Sequence, residues 1–256
     1  MSLQVETETK LKTLIQTEIE GDLIIGLFDN FKERPGMKTG WGFSCFVKRE
    51  NNINILFDTG ANGKDLLFNM GKMDVGPKEI DLIFLSHIHS DHTGGLMSVL
   101  EKNSDLTVVI PKSFDINFKE KVKKRGAKIK EVESFEKIGE DIFSTGEFKH
   151  STKEHSLALK TKKGIVVITG CAHPGILNII ERVKHNFSED IYLALGGFHL
   201  KGSSQIHLEN IVKEFKKNNI KKVAPSHCTG DRAIRLFEKK YKNNYIANGA
   251  GKIIKL

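Results

Sequence analysis

The sequence is poor in cysteine and has no long apolar run, and each shortage excludes a class of protein. Cys45, Cys171 and Cys228 are too few and too scattered for a disulfide framework, and no Cys-x-x-Cys pair occurs. No apolar run approaches the roughly 20 residues of a membrane span. The N-terminus also lacks the apolar core of a signal peptide. The expectation is a cytoplasmic protein with no membrane partner.

Arginine is scarce as well, since most of the 40 basic residues are lysines spread along the chain, with a net charge of +8. Diffuse lysine is more typical of a solvated surface than of a nucleic-acid groove, although it favours the approach of anions. The sequence also lacks the GxxxxGK[ST], GxGxxG and GxSxG motifs of other common chemistries. A small anionic substrate is therefore expected and nucleic acid is not, while the oligomeric state stays open.

No linker, repeat or composition break divides the 256 residues, so one domain over residues 1–256 is expected. Apolar runs predict strands at 11–16, 23–28, 41–47, 53–57, 81–85, 106–110, 164–170, 191–195 and 222–224. Helical patterns cover 64–70, 97–100, 114–124, 176–183 and 232–239. Residues 128–149 have short strand patterns with glycine turns, and they are predicted to form a second sheet region.

A histidine-rich segment follows the strand predicted at 81–85. It contains His87, His89, Asp91 and His92 within six residues. Imidazole nitrogen and carboxylate oxygen are ligands that divalent metals prefer. In an extended segment His87 and His89 point the same way because side chains alternate with period two. If the chain then turns, Asp91 and His92 reach a neighbouring position, and one short loop serves two ions.

Three later strands are each followed by a histidine, namely His173, His199 and His227. The carboxyl ends of strands are where ligands collect in α/β proteins, so these histidines are predicted to meet the first cluster. Cys171 and Cys228 lie within two residues of candidate ligands. Thiolate or zinc–sulfur chemistry is open for them, but a small buried hydrophobe packed under the site is favoured. The remaining histidines are predicted to be surface or locally hydrogen-bonded residues: His150, His155, His185 and His207.

The segment His87-Ile88-His89-Ser90-Asp91-His92-Thr93-Gly94-Gly95-Leu96 resembles the HxHxDH signature of the metallo-β-lactamase superfamily. Asp58, in Phe57-Asp58-Thr59-Gly60, is similar to that superfamily's first motif. The segments 169–175, 196–200 and 225–230 resemble its 7,8-dihydropterin-6-yl-methyl-4-(β-D-ribofuranosyl)aminobenzene 5′-phosphate synthase-like branch. The resemblance implies an α/β fold, an αββα sandwich in which helices flank two mixed β-sheets.

The resemblance also implies a site with two divalent metal ions, zinc first, with manganese or iron as alternatives. The implied ligands are His87, His89 and His173 for the first ion, and Asp91, His92 and His227 for the second. Asp58 would orient a ligand histidine. Metal-bound water, beside Asp91, would become the nucleophile near neutral pH.

One feature departs from the superfamily's pattern. Its bridging aspartate should follow a strand between His173 and His227, where no acidic residue stands at the carboxyl end of a strand. His199 occupies that place, and it either binds a metal or points at substrate.

The resemblance implies a metal-dependent hydrolase, or a related transferase such as a pterin-related synthase, that acts on an anionic, phosphorylated small molecule. One alternative is a phosphodiesterase or nuclease of the same superfamily. Another, from a different class, is a non-catalytic metal-binding sensor on the same scaffold.

Overall fold

The computed structural model describes residues 21–51 and 53–256, and the strands in these ranges form two mixed β-sheets. The first sheet contains β1 Leu23–Phe28, β2 Ser44–Lys48, β3 Ile55–Phe57, β4 Leu82–Phe84, β5 Thr107–Pro111, β6 Lys128–Val132 and β13 Ile253–Lys255, in the order β13-β1-β2-β3-β4-β5-β6. The second contains β7 Glu136–Gly139, β8 Ile142–Ser144, β9 Leu157–Thr161, β10 Gly164–Thr169, β11 Ile191–Gly197 and β12 Lys222–Ser226, in the order β12-β11-β10-β9-β8-β7.

The helices of the described residues are α1 Gly63–Lys72, α2 Ser90–Thr93, α3 Leu96–Leu100, α4 Ile116–Lys124, α5 Ile176–Asn186, α6 Gln205–Lys217 and α7 Asp231–Tyr241. Short 3₁₀ turns span Pro77–Glu79, His227–Thr229 and Lys242–Asn244. Three helices begin at capping side chains that satisfy otherwise unpaired backbone N–H groups, namely Asn62, Asp115 and Ser204. No helix in the described part of the chain is long and apolar enough to cross a membrane.

Alternating side chains bury both faces of each sheet. In β3, Phe57 packs between the two sheets, while the preceding Leu56 packs under the helices of the first sheet. In β10, Val166 faces the layer between the sheets and Val167 faces the helices of the second sheet. The period-two alternation of a strand therefore builds three apolar layers. This is the αββα sandwich that the resemblance implied.

The parallel strands determine where the site lies. The strands β3, β4, β5 and β6 run parallel, and so do β10, β11 and β12. The carboxyl ends of each parallel set meet at one edge of its sheet. An antiparallel bridge between His87 and Glu154 connects the segment after β4 to the segment before β9. The two edges therefore join at the histidine-rich segment.

Most predicted elements are present, with one correction. The region 128–149 was expected to belong wholly to a second sheet, but Lys128–Val132 extends the first sheet and pairs in parallel with β5. A parallel strand needs a crossover connection, and the helix Ile116–Lys124 supplies it. Only β7 and β8 of this region enter the second sheet. The strand expected at 11–16 lies outside the described residues.

Candidate metal centre

The candidate site lies beyond the carboxyl ends of five strands. In chain order these ends place Asp58 after β3, His87 after β4, Cys171 and His173 after β10, His199 after β11, and His227 after β12. Asp58, His199 and His227 have φ angles of +50°, +52° and +50°. Left-handed backbone costs a residue with a side chain about 1–3 kcal/mol and clusters at functional sites. The surrounding packing therefore holds these side chains in unusual turns at the sheet edge.

The first group of side chains, called the nitrogen cluster below, consists of His87, His89 and His173. His87 Nε2 lies 3.1 Å from His89 Nδ1. The ring centre of His173 lies 4.7 Å from that of His87 and 4.9 Å from that of His89. Two nitrogens bound to one tetrahedral zinc ion stand about 3.3 Å apart. The spacing suits three imidazoles on one ion, and the exposed ring of His89 would leave such an ion open to solvent.

The second group, called the mixed cluster below, consists of Asp91, His92, Cys171 and His227. Their ligand atoms lie within 4.8 Å of one another. Asp91 Oδ2 lies 3.5 Å from both His92 Nε2 and His227 Nε2. Apart from Asp91, whose side chain is 19% exposed, the members are buried. The structure thus brings together both groups of predicted ligand residues, and it adds Cys171 to the second.

Asp58 orients two of the histidines from beneath. His92 Nδ1 donates a hydrogen bond of 2.6 Å to Asp58 Oδ2. Ser86 Oγ donates to the same oxygen at 2.7 Å, so the hydroxyl oxygen accepts from His87 Nδ1 at 2.9 Å. A Cβ at Gly170 would lie 2.1 Å from Ser86 Oγ, so only glycine lets β10 approach this network. With Nδ1 engaged, both rings turn Nε2 towards the clusters.

Glu154 plays the same part for the nitrogen cluster, and sequence reasoning missed it. His173 Nδ1 donates to Glu154 Oε2 at 2.7 Å. The same fully buried carboxylate accepts backbone hydrogen bonds from Cys171, Ala172 and His173. It therefore holds the turn after β10 as well as the ring. No motif marks Glu154, and its position just before an apolar strand is the only signal that the sequence offers.

Asn30 orients the last histidine. His227 Nδ1 donates to Asn30 Oδ1 at 3.0 Å, which leaves Nε2 facing Asp91 and Cys171. The indole of Trp41 lies 4.8 Å from the imidazole of His227, and the ammonium group of Lys201 lies 4.8 Å from the indole. The indole is 48% exposed, so an aromatic face and a cation stand at the mouth of the site.

The electrostatics differ between the clusters. Burial lowers the pKa of His87 and of His89, so both rings are neutral near pH 7. Burial alone would also lower the pKa of His92, but the charge of Asp58 and the hydrogen bond to it raise that pKa to about 10. Burial would raise the pKa of Asp91, yet hydrogen bonds from His227 and His92 hold it well below its usual range. Without an ion, the mixed cluster therefore retains a proton.

His199 lies beside both clusters. Its ring centre is 4.6 Å from that of His173, and its imidazole groups with Cys171 and Cys228 rather than with Asp91. A hydrogen bond with Cys228 raises the pKa of His199. His199 is exposed at the rim, next to His173 of the nitrogen cluster and Cys171 of the mixed cluster.

Cys171 and Cys228 are both buried, as expected, but their surroundings differ. Cys228 Sγ donates to the backbone oxygen of Cys171 at 3.4 Å. Cys171 Sγ instead lies 3.3 Å from His92 Nε2 and 3.4 Å from His227 Nε2. Cys228 also hydrogen-bonds to His199, whereas Cys171 faces the mixed cluster.

Residues 41–227 match the family model described as the metallo-beta-lactamase superfamily. A curated relative is the 7,8-dihydropterin-6-methyl-4-(beta-D-ribofuranosyl)-aminobenzene-5'-phosphate synthase of Methanocaldococcus jannaschii. The alignment has 30% identity over 262 residues and covers 84% of this chain and 89% of the relative. A ribonuclease Z from Nanoarchaeum equitans is 35% identical over 91 residues, 28% of each chain.

Among solved structures, the chain is similar to Tm1679, described as a metal-dependent hydrolase of the beta-lactamase superfamily. The two share 29% sequence identity with a TM-score of 0.77, and the match covers 92% of this chain and 99% of the other. One relative is thus named as a synthase and another as a hydrolase, both with long matches.

Proposed function

Because the chain belongs to the metallo-β-lactamase superfamily, we propose that it is a metal-dependent enzyme acting on a phosphorylated or otherwise anionic small molecule. The reaction is hydrolysis, or a group transfer of the kind that the named synthase relative suggests. The observation that carries the proposal is the convergence of the nitrogen cluster and the mixed cluster at one sheet edge. Each cluster offers at least three ligand atoms, which is what a catalytic ion requires.

The chemistry of the donor set fits two divalent ions. His87, His92, His173 and His227 each use Nδ1 for an acceptor in the protein and present Nε2 to a cluster. Metal-binding histidines have this arrangement, because the outer acceptor selects the tautomer and strengthens the ligand. Sites rich in imidazole suit zinc and iron, so zinc is proposed first, with iron or manganese as alternatives.

Ions bound here would polarise a phosphoryl or carbonyl oxygen and lower the pKa of water into the neutral range. The chain's own residues supply the rest. Asp91, ionised and partly exposed, can accept a hydrogen bond from the attacking group. His199 lies at the open side of the nitrogen cluster, where its imidazole can hold an anionic group of the substrate.

The mouth of the site favours a substrate that carries negative charge. Lys201 places its ammonium group over the exposed indole of Trp41, and Trp41 contacts the ring of His227. The net charge of +8 adds a long-range attraction for anions. An anion approaching the clusters therefore meets Lys201 and His199 at the rim.

A phosphodiesterase is the second candidate, favoured by the short similarity to ribonuclease Z. Both candidates use the same clusters, so the substrate distinguishes them. A nuclease should bind polynucleotides with an affinity that falls steeply as salt rises, because each phosphate contact releases counterions. A small-molecule enzyme should hydrolyse activated phosphate esters and show no such salt-dependent binding.

The test combines metal analysis with activity. After reconstitution with zinc, manganese or iron, the protein should hold about two ions per chain. It should turn over at least one member of a panel of activated phosphate monoesters, diesters and carboxylic esters. Absence of bound metal after reconstitution overturns the proposal. Two bound ions with no turnover of any ester or polynucleotide favours a non-catalytic sensor.

A further inference from the structure

We infer that Cys171 is a metal ligand, and that its thiolate completes the mixed cluster in place of the missing bridging carboxylate. The inference rests on the proposed function for the presence of the ions. It concerns a residue that sequence reasoning assigned to packing. It also predicts which of the two clusters remains open for chemistry.

The distances around Cys171 fit a single ion. Cys171 Sγ lies 3.3 Å from His92 Nε2 and 3.4 Å from His227 Nε2. On a tetrahedral zinc ion, with bonds of about 2.3 Å to sulfur and 2.0–2.1 Å to nitrogen, these atoms stand about 3.5 Å apart. The two distances of 3.5 Å from Asp91 Oδ2 fit the same ion. Four edges of a ligand tetrahedron are therefore present.

The directions of the lone pairs support the same conclusion. His92 donates through Nδ1 to Asp58, and His227 donates through Nδ1 to Asn30. Both Nε2 atoms then lie within 3.4 Å of one sulfur, and the carboxylate of Asp91 faces the same two rings. A thiol has a single proton and cannot satisfy both imidazole nitrogens. Only added protons or a cation reconcile these groups, and a cation also stabilises the thiolate.

The charges explain how the site manages without a second carboxylate. Two dications with Asp91 as the only anionic ligand would leave about +3 of net charge before water is counted. A thiolate at Cys171 lowers this sum to about +2, as a bridging aspartate would. The anionic ligand follows β10 rather than β11, although the superfamily's bridging aspartate is expected after β11.

Two consequences follow for the ions. The mixed cluster has four protein ligands, whereas the nitrogen cluster has three and keeps a position free for water or substrate. Thiolate sulfur also favours zinc, cobalt and iron over manganese. Manganese alone should therefore fill the nitrogen cluster and leave the mixed cluster largely unfilled.

Cobalt(II) spectroscopy tests the ligand directly, because a cobalt–thiolate bond gives an intense charge-transfer band in the near ultraviolet. The native protein reconstituted with cobalt should show this band at about two ions per chain. Cys171→Ser should lose the band and bind its second ion at least about 10–100-fold more weakly, the loss expected even for an outer partner. Cys228→Ser is the matched control. It should keep the charge-transfer band and about two cobalt ions per chain.

Cys171→Asp keeps a negatively charged ligand but removes the sulfur, so it distinguishes the effect of the charge from that of the sulfur. It should regain the second ion without the band, and it should accept manganese in both clusters. Two bound cobalt ions without a band in the native protein would overturn the inference and leave the proposed function intact. Absence of bound cobalt would overturn the proposed function itself. If Cys171→Ser does not fold, loss of the band in Cys228→Ser assigns the ligand to Cys228 and overturns the inference.

Discussion

The nitrogen cluster and the mixed cluster share the segment from His87 to His92, yet they differ in exposure, ligand type and charge. The nitrogen cluster opens to solvent through His89, while His92, Cys171 and His227 are buried. The first is neutral, and the second contains a carboxylate and a thiol. Buried carboxylate and sulfur ligands would hold an ion more tightly than an exposed neutral set, which leaves room for a substrate. On the proposed function, the mixed cluster would therefore hold its ion more tightly, and the nitrogen cluster would be the one that accepts substrate.

A single turn after β10 serves both clusters. Cys171 faces the mixed cluster and His173 faces the nitrogen cluster, two residues further on. Each cluster also rests on one fully buried carboxylate, Asp58 under His92 and Glu154 under His173. The two clusters thus share one plan, in which a buried carboxylate orients a histidine. They differ mainly in the side chains that face the centre of each cluster.

Removing one ligand from each cluster should have the largest effect. His89→Ala should release about one ion per chain, and activity should fall by at least about 10²–10³-fold, as for other losses of transition-state stabilisation. Asp91→Ala should lower the affinity of the mixed cluster for its ion. The measurements are metal content after dialysis and turnover of an activated ester. Loss of both ions in each variant would show that the clusters fill as one unit and do not differ as argued.

Glu154→Gln should have the next largest effect. The amide cannot accept all of the hydrogen bonds that Glu154 receives, so the turn at Cys171 and the ring of His173 lose their orientation. Metal affinity should fall by about 10–100-fold, first in the nitrogen cluster. Competition with a chelator measures it, and Glu133→Gln on the exposed surface is the control. An unchanged affinity would mean that Glu154 supports only the fold.

His199→Ala should affect substrate binding more than metal binding. His199 stands at the rim of the nitrogen cluster and outside both ligand groups. Loss of one charge-assisted hydrogen bond should raise KM for a phosphorylated substrate about tenfold and weaken inhibition by inorganic phosphate similarly. Metal content and kcat should stay close to those of the parent. Loss of an ion in this variant would make His199 a ligand instead.

The family resemblance predicted the layers, and the strand-end histidines predicted most of the residues that the structure brings together at the sheet edge. The strands are short apolar runs, and the HxHxDH segment concentrates four ligand candidates in six positions. The helix Gln205–Lys217 received no prediction, although its buried residues recur at helical spacing. The strand Lys128–Val132 was placed in the wrong sheet. Local patterns do not encode which partner a strand will choose, because pairing depends on distant chain segments.

The supporting residues were harder to find because their roles exist only in three dimensions. Asp58 was recognisable because it resembles a motif, but Glu154 lies 19 residues from the ring that it orients. The role of Cys171 depends on rings 79 and 56 residues away. A lone cysteine or glutamate has no spacing that distinguishes packing from metal binding. The sequence interpretation of Cys171 as a buried, packed side chain agrees with its burial. It did not include the position of the sulfur, which faces His92 and His227.

The smallest functional effect is expected for His155, a buried histidine beside the site that belongs to neither cluster. Ser144 Oγ donates to its Nδ1 at 2.8 Å, and its Nε2 donates to the backbone oxygen of Leu85 at 2.9 Å. Both nitrogens are occupied, so no lone pair remains for a metal. His155→Gln should keep the metal content of both clusters, in contrast to His89→Ala.

The effect of His155 should instead appear in the pH dependence of stability. Burial lowers its pKa to about 3 from 6.5, so the folded protein keeps the ring neutral while the unfolded chain binds a proton. Its contribution is present above the unfolded pKa and is lost as the pH falls towards 3. The free energy of unfolding of the parent should therefore fall more steeply below about pH 6 than that of His155→Gln, by up to about 1.4 kcal/mol per pH unit. Urea titrations of the metal-free proteins between pH 7 and pH 4.5 would measure the two slopes, with exposed His185→Gln as control. Parallel curves for parent and His155→Gln would show that this histidine titrates normally and that burial does not hold it neutral.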